Sequence, residues 1–294
     1  MEIPEFPASR PLDIKDKKIL DPVFDLLQPR ISELTFAGLF LFRKAHDYRL
    51  TLVKDALVVL GKGYDGGEYF LPPLNGDIAA ALDLLFREGK ELYGADEAFA
   101  ERHLSSGGIN LTEDRDSFDY IYLKDELATL PGNRYHKKKN RLNYFTARYR
   151  HEIQILSASH INQCLSLLEE WNKANDLSSA SLAFEVEATA EALQMYDELD
   201  LQGIVVIVDE TVRGFSIGEL LNRETAVCHF EKADPFMEGL SQLLNREFAA
   251  RLFNECRYLN REQDLGEPGL RNAKLGYHPL ELLKKYRAKR LNKI

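Results

Sequence analysis

The order of strand and helix patterns in the second half of the chain restricts the fold more than any other feature. Three strand patterns follow one another closely, at 203–208, 212–220 and 225–232. A strand pattern at 152–156 and two helical patterns precede them, and a long helical pattern at 239–256 leads into a further strand from Arg257. A run of strands followed by a helix and another strand indicates a layered α/β fold with a sheet flanked by helices.

The first half contains a weaker version of the same order. Two strand patterns at 48–53 and 56–60 are separated by a turn and are followed by helical patterns at 78–90 and 96–103 and a strand pattern at 117–123. A chain of 294 residues is long enough for two domains of ordinary size. We therefore predict two similar domains, at 1–132 and 151–294, joined by a segment at 133–150.

Composition narrows the class of protein. Hydrophobic residues make up 45% and charged residues 29% of the chain, as in globular proteins, and no apolar run reaches the length of a membrane span. The first residues lack the order of a secretory signal, so we expect a cytoplasmic protein. A net charge of −9 argues against general coating of DNA or other nucleic acid. Three scattered cysteines predict neither a disulfide framework nor a metal site.

One basic segment stands out in this acidic chain. Residues 133–150 contain no acidic residue. If they form a helix, its cations gather on about one third of the circumference. The candidate anion-binding residues are Arg134, His136, Lys137, Lys138 and Arg141. The segment is either a solvated basic face or a site for tRNA, a nucleotide or an anionic headgroup, in which case binding weakens steeply with salt.

Polar residues are dense where the last predicted strand ends. Asn260, Glu262 and Asp264 alternate with Arg261, and glycines that let a backbone approach a ligand follow. This pattern is typical of a binding site.

A short helical pattern comes next and carries two cations three residues apart. Arg271 and Lys274 lie on one helix face and suit an anionic substrate. The alternative is that they pair with Glu262 or Asp264 and brace the turn. Tyr277 follows the helix, where its phenol either donates to an oxyanion or packs.

The strand at 225–232 supplies candidates for acid–base chemistry. His229 and Glu231 alternate, so we expect them to share a face, with one of them acting as the general base or relaying to it. The alternative for His229 is a hydrogen-bonded core histidine. Lys232, at the end of the strand, suits a phosphate or a carboxylate.

Two stretches together carry a family resemblance. Residues 135–143 (YHKKKNRLN) and 260–279 (NREQDLGEPGLRNAKLGYHP) resemble the signatures of a bacterial family related to the C-terminal catalytic domain of phosphatidylglycerol lysyltransferases. The resemblance implies two tandem domains of the acyl-CoA N-acyltransferase (GNAT) fold, each a mixed, mainly antiparallel sheet flanked by helices, as in Fem-type aminoacyltransferases. Relatives of known chemistry move an aminoacyl group from tRNA to a lipid or a peptidoglycan precursor.

The chain departs from that pattern in two places. Members that use acetyl-CoA carry a glycine-rich pyrophosphate loop before the helix, whereas residues 232–240 contain one glycine and two carboxylates. The multi-span membrane region of the lysyltransferases is not seen in the sequence, although the basic tail at 282–290 could lie on an anionic surface or form a solvated helix.

These features predict a transferase with its site in the C-terminal domain. We expect it to move an acyl or aminoacyl group onto an amine or hydroxyl, with aminoacyl-tRNA as the donor ahead of acetyl-CoA and with no certain cofactor. An anionic substrate, such as tRNA or a lipid headgroup, and peripheral contact with the inner membrane face are the expected partners. The alternatives are a non-catalytic module that binds an anion or nucleotide, and an acetyl-CoA-dependent N-acetyltransferase.

Overall fold

The computed structural model describes residues 2–105, 108–174 and 180–291, which form two compact units. The first unit comprises residues 1–119, 263–268 and 282–294, and the second comprises 120–262 and 269–281. Each unit therefore collects segments that are distant in the chain. The division at 132 and 150 stays a prediction about domain boundaries.

The first unit is built on a seven-stranded sheet in the order β1-β2-β3-β4-β5-β14-β6. Strands β4 and β5 pair in parallel, and α4 connects them. The strands are β1 (Arg10–Pro11), β2 (Arg49–Val53), β3 (Ala56–Lys62), β4 (Glu68–Phe70), β5 (Glu91–Asp96), β6 (Ile109–Glu113) and β14 (Lys285–Arg290). The helices in this part of the chain are α1 (Lys17–Leu27), α2 (Phe36–Leu41), α3 (Arg43–His46), α4 (Ile78–Arg87) and α5 (Glu97–His103).

The second sheet also has seven strands, in the order β13-β7-β12-β11-β10-β9-β8. Its parallel pair is β11 with β12, and α10 connects them. The strands are β7 (Asp119–Leu123), β8 (His151–Ile155), β9 (Gln202–Val208), β10 (Thr211–Asn222), β11 (Thr225–Ala233), β12 (Tyr258–Asn260) and β13 (Glu281–Leu283). The helices are α6 (Lys124–Thr129), α7 (His136–Arg148), α8 (Ile161–Ala174), α9 (Ala180–Gln194), α10 (Leu240–Arg251) and α11 (Pro268–Leu275).

Small residues on β10 let α10 pack closely on the second sheet. A Cβ on Gly214 would lie 2.7 Å from the Leu244 side chain, and one on Gly218 would lie 2.9 Å from Phe248. The apolar side of α10 is fully buried against this sheet, which fixes the position of its polar residues as well. The predicted α/β fold with two mixed sheets flanked by helices is confirmed.

The basic tail forms a strand in place of the predicted helix. Residues 285–290 form β14, which pairs with β5 on one side and β6 on the other, so the prediction of a solvated helix is wrong. Lys285 and Ala288 are buried in the first unit although the segment is rich in charge. The basic segment after residue 132, in contrast, forms the predicted helix as α7, with Leu142 and Phe145 buried.

A buried ion cluster lies in the first unit at the start of β14. The Lys285 ammonium donates to Asp119 Oδ1 at 2.7 Å and to Glu33 Oε2 at 2.6 Å. Asp119 also accepts from the backbone and the hydroxyl of Ser32. Burial, with a contribution from Asp119, raises the pKa of Glu33 to about 7 although Lys285 opposes the shift.

Candidate functional site

The second sheet opens at its parallel pair. The ladder between β11 and β12 runs from Thr225↔Tyr258 to Val227↔Asn260 and ends there. Strand β11 continues to Ala233, paired with β10. Backbone groups of β11 beyond Val227 and the residues that follow Asn260 therefore border a split in the sheet, and the polar residues predicted as a site lie on both sides of it.

A β-bulge places His229 beside the split. Ile217 pairs with Phe230 and Gly218 pairs with Cys228, so His229 is an extra residue on β11. Glu231 pairs with Ser216, whereas His229 bonds to Glu219 three residues further along β10. Side chains three positions apart on a strand point to opposite faces. The prediction that His229 and Glu231 share a face is therefore wrong, because the bulge shifts the alternation by one residue.

His229 is held between two carboxylates in the second unit. Its Nδ1 lies 2.7 Å from Glu262 Oε1, and its Nε2 lies 2.8 Å from Glu219 Oε1. The ring is fully buried, whereas both carboxylates are partly exposed.

The two carboxylates decide the charge of His229. Burial alone would lower its pKa, but the hydrogen bonds to Glu219 and Glu262 outweigh burial and raise the pKa to about 10. At neutral pH the ring is an imidazolium that donates from both nitrogens. Such a ring has no lone pair with which to accept a proton.

A second ion pair lies on the other face of β11. Arg261 Nη2 is 3.3 Å from Glu231 Oε2. The Asn245 amide, on α10, is oriented with its oxygen toward the guanidinium and accepts from Nη1 at 2.7 Å. Burial raises the pKa of Glu231, and Arg261 and Asn245 act against this rise.

Tyr277 and Lys138 extend this second group. The Tyr277 ring centroid lies 4.0 Å from Lys138 Nζ and 5.3 Å from Arg261 Cζ. Burial raises the pKa of the Tyr277 phenol, which also hydrogen-bonds with Gln242 on α10. The buried tyrosine is thus both packed and polar, in line with the two roles considered for it.

The backbone at Glu262 is constrained from several sides. Its φ of 55° lies in the left-handed region, which is unusual for a residue with a side chain. Its N–H donates to Asn260 Oδ1 at 2.7 Å, and its carbonyl accepts from Lys274 Nζ at 3.3 Å and from the Tyr120 N–H at 3.3 Å. Lys274 therefore bonds the backbone of this turn, whereas the bracing alternative named the Glu262 or Asp264 carboxylate as its partner. A strained residue fixed by its neighbours is a common feature of functional sites.

Other predicted site residues have different surroundings. Lys232 is buried, with its ammonium 2.5 Å from Glu185 Oε1 and 3.9 Å above the Trp171 ring. Asp264 belongs to the first unit, where it pairs with Arg115 at 3.1 Å. Arg271 is half-buried on α11.

The cations of α7 and the turn before it also differ from one another. Arg134 is ion-paired with Glu126 at 2.5 Å, so an acidic residue outside the basic segment offsets part of its charge. His136 Nδ1 contacts the Asn133 carbonyl, at 3.1 Å. Lys137 and Arg141 are exposed, and Lys138 is half-buried.

Two residues of the candidate site, Glu219 and Asn245, were not predicted from the sequence. Glu219 lies in the apolar run of β10, and Asn245 lies among the leucines of α10. In each case a polar residue interrupts an otherwise buried apolar pattern, and that interruption was the available signal.

The chain is similar to proteins of a known family. The family model described as phosphatidylglycerol lysyltransferase, C-terminal, matches residues 24–289. A search of curated proteins found no match. No helix within the described residues is both long enough and apolar enough to cross a membrane.

Solved structures show the same fold. A conserved protein of unknown function from Bacteroides thetaiotaomicron VPI-5482 is 30% identical, with a TM-score of 0.88 over 96% of this chain and 99% of that chain. L-PGS from Bacillus licheniformis is 15% identical, with a TM-score of 0.65 over 100% and 95% of the two chains. FemX is 9% identical, with a TM-score of 0.58 over 97% and 98%. The chain shares the fold of L-PGS and FemX, and it belongs to the phosphatidylglycerol lysyltransferase C-terminal family.

Proposed function

We propose that the protein is an aminoacyltransferase whose active site is the split between β11 and β12. Family membership supports transferase chemistry, and the observation that carries the proposal is the pair of carboxylates held at the split by His229. The acyl group would pass from aminoacyl-tRNA to a hydroxyl or amine of a lipid, a peptidoglycan precursor or a small molecule.

The Glu219–His229–Glu262 cluster suits an ammonium group. Each carboxylate uses Oε1 to bond His229. Within the described part of the chain, the two Oε2 atoms accept no hydrogen bond, and both side chains are partly exposed. An imidazolium between two carboxylates leaves a net charge of −1. This charge and the two oxygens fit the amino group of an aminoacyl ester or of an acceptor amine.

Glu231 is the proposed general base. Its raised pKa makes it a better proton acceptor than an ordinary glutamate, and Arg261 stabilises the carboxylate form. It would take the proton from the acceptor O–H or N–H as that atom attacks the ester carbonyl. The ester C–O bond then breaks, and the departing ribose oxygen takes that proton from Glu231. His229 is assigned a positioning role, because it donates from both nitrogens.

The split also offers donors for the carbonyl oxygen. Backbone N–H groups of β11 beyond Val227 border the split where the parallel ladder has ended. Backbone donors aimed at a developing oxyanion are a common source of rate enhancement in acyl transfer. Tyr277, near Arg261, is the proposed side-chain donor. The exposed cations of α7, with His136, Lys137 and Arg141, are the proposed contact for the tRNA phosphates.

The test compares donors and variants. Purified protein is incubated with labelled aminoacyl-tRNA or labelled acetyl-CoA, together with extracted lipids, peptidoglycan precursors and small amines. We expect transfer from aminoacyl-tRNA, and a fall in kcat of about 10²–10⁴-fold in Glu231→Gln, the usual size of a general-base effect. Glu224→Gln, an exposed carboxylate on the turn before β11, is the matched control.

Failure of the proposal has a clear form. Transfer from acetyl-CoA alone would replace it with an N-acetyltransferase. Transfer from neither donor, with saturable binding of an anion, would make the protein a binding module. Equal activity of Glu231→Gln and the wild type would remove Glu231 from the mechanism.

A further inference from the structure

Positive charge gathers around Tyr277 in the second unit. Lys138 Nζ and Arg261 Cζ lie 4.0 and 5.3 Å from the centre of its ring. Arg141, nearly one turn after Lys138 on α7, acts electrostatically on both Lys138 and Tyr277. The carboxylate that acts on Lys138 is Glu231, which is already paired with Arg261. Lys138 and Arg261 therefore share one carboxylate, on which Lys274 also acts.

Within the described residues, the Lys138 ammonium forms no direct ion pair with a carboxylate. Its nitrogen lies 3.4 Å from the Ala273 carbonyl oxygen, and among the described residues no carboxylate lies within 4.0 Å of it. Burial and the nearby Arg261 and Arg141 lower its pKa to about 8, despite the opposing effect of Glu231. Cations held together in this way repel one another, and an anion placed among them relieves the repulsion.

The arrangement is also preorganised. Arg261 is held by Glu231 on one side and by the Asn245 oxygen on the other. Lys138 is held by the Tyr277 ring and the Ala273 carbonyl. A guanidinium and an ammonium that are each held in place beside Tyr277 keep positive charge in position before a ligand arrives, which suits the multiple oxygens of a phosphate.

We infer that Lys138, Arg141 and Arg261 form a phosphate-binding subsite beside the Tyr277 ring. The subsite rests on the proposed location of the active site, and it assigns to the substrate a phosphate group that binds on the α10 side of β11. That phosphate can come from a glycerophosphate headgroup or from a nucleotide, since both present the same group.

The experiment measures binding without transfer. Isothermal titration at low ionic strength uses inorganic phosphate, sn-glycerol 3-phosphate and AMP as probes. We expect saturable binding, weakened about 10-fold or more in Lys138→Gln because one charge-assisted hydrogen bond is lost. Lys139 is half-buried like Lys138, but its ammonium donates to the Gly132 carbonyl. Lys139→Gln makes the same change of charge on the same helix and should bind phosphate within about twofold of the wild type.

A second readout follows the Lys138 amine itself. Selective labelling of lysine amines and an NMR titration should show its pKa rising from about 8 when phosphate binds, because the anion stabilises the ammonium. Tighter binding of sn-glycerol 3-phosphate than of AMP would identify a headgroup phosphate, and the reverse a nucleotide phosphate.

Three results would overturn the subsite. These are no saturable binding of any probe, equal losses in Lys138→Gln and Lys139→Gln, and an unchanged Lys138 pKa with phosphate present. The outcome is separable from that of the proposed function. Phosphate binding without transfer would end the aminoacyltransferase proposal and keep the subsite, whereas transfer without phosphate binding would do the opposite.

Discussion

Each unit holds a buried cation between two carboxylates, and the two clusters differ in how open they are. Lys285 lies between Glu33 and Asp119, whose side chains are 9% and 0% exposed. His229 lies between Glu219 and Glu262, which are 15% and 21% exposed. A sealed cluster holds its own structure together, whereas an open one keeps carboxylate oxygens that can meet a ligand. Exposure of the partners, more than the charge motif, indicates which cluster takes part in function.

Removing the sealed cation should give the largest effect on stability. Lys285→Met leaves Glu33 and Asp119 buried without their partner, and we expect a loss of about 3–5 kcal/mol in the free energy of unfolding. Urea denaturation measures it.

The neighbouring lysine provides the control. Lys284 forms an exposed pair with Glu113, so Lys284→Met should change the free energy of unfolding far less than Lys285→Met. Combining Lys285→Met with Glu33→Gln and Asp119→Asn removes the stranded charges and should recover stability. Equal losses in the two lysine variants would contradict the sealed cluster's structural role.

Changing the open cluster should affect activity more than stability. In Glu262→Gln the charge facing the split is lost, and we expect kcat/KM for the aminoacyl donor to fall about 10–100-fold, with most of the change in KM. Steady-state kinetics with labelled aminoacyl-tRNA measures the change, against Glu224→Gln as the control. A large loss of stability with unchanged kinetics would mean that the His229 cluster has a structural role, like the Lys285 cluster.

A separate effect should appear in the pH dependence of stability. The pKa of Glu33 is raised from 4.5 to about 7, so its stabilising contribution is fully present below about pH 4.5 and is lost as the pH rises through 7. Groups that interact with Glu33 from other elements include Lys285, Asp119, Tyr48, Tyr69 and Tyr93. The pKa of His229 is raised from 6.5 to about 10, so its contribution is fully present below about pH 6.5 and is lost as the pH rises through 10.

Denaturation curves between pH 4.5 and 8 test this difference. Because glutamine does not ionise, Glu33→Gln should show a weaker decline than the wild type over that range. Parallel curves for the two proteins would mean that Glu33 does not titrate there.

The sequence allowed the prediction of the elements whose pattern is local. The hairpin of β2 and β3, the run from β9 to β11 and the helix α7 all follow from periodicity and turn residues within a short window. Strand β14 could not be found in this way. Its pairing partners β5 and β6 lie far away in the sequence, and its charged residues suggested a solvated segment.

The site shows the same limit. Polar positions at the strand ends pointed to His229, Glu231, Arg261 and Glu262, and the structure places all four at the split. The pairing among them depends on the bulge at His229, and simple alternation contains no such shift. The second carboxylate that bonds His229 belongs to Glu219 on β10, a strand whose sequence pattern indicated a buried core strand.

Strand β14 has a consequence for the order of assembly. It lies between β5 and β6, so the first sheet lacks an inner strand until residue 290 has been synthesised. By then the ribosome has already produced every residue of the second unit. The first sheet therefore cannot be completed until β14 is available, and until then the edges of β5 and β6 are exposed to non-native strand pairing. The second sheet can be completed earlier.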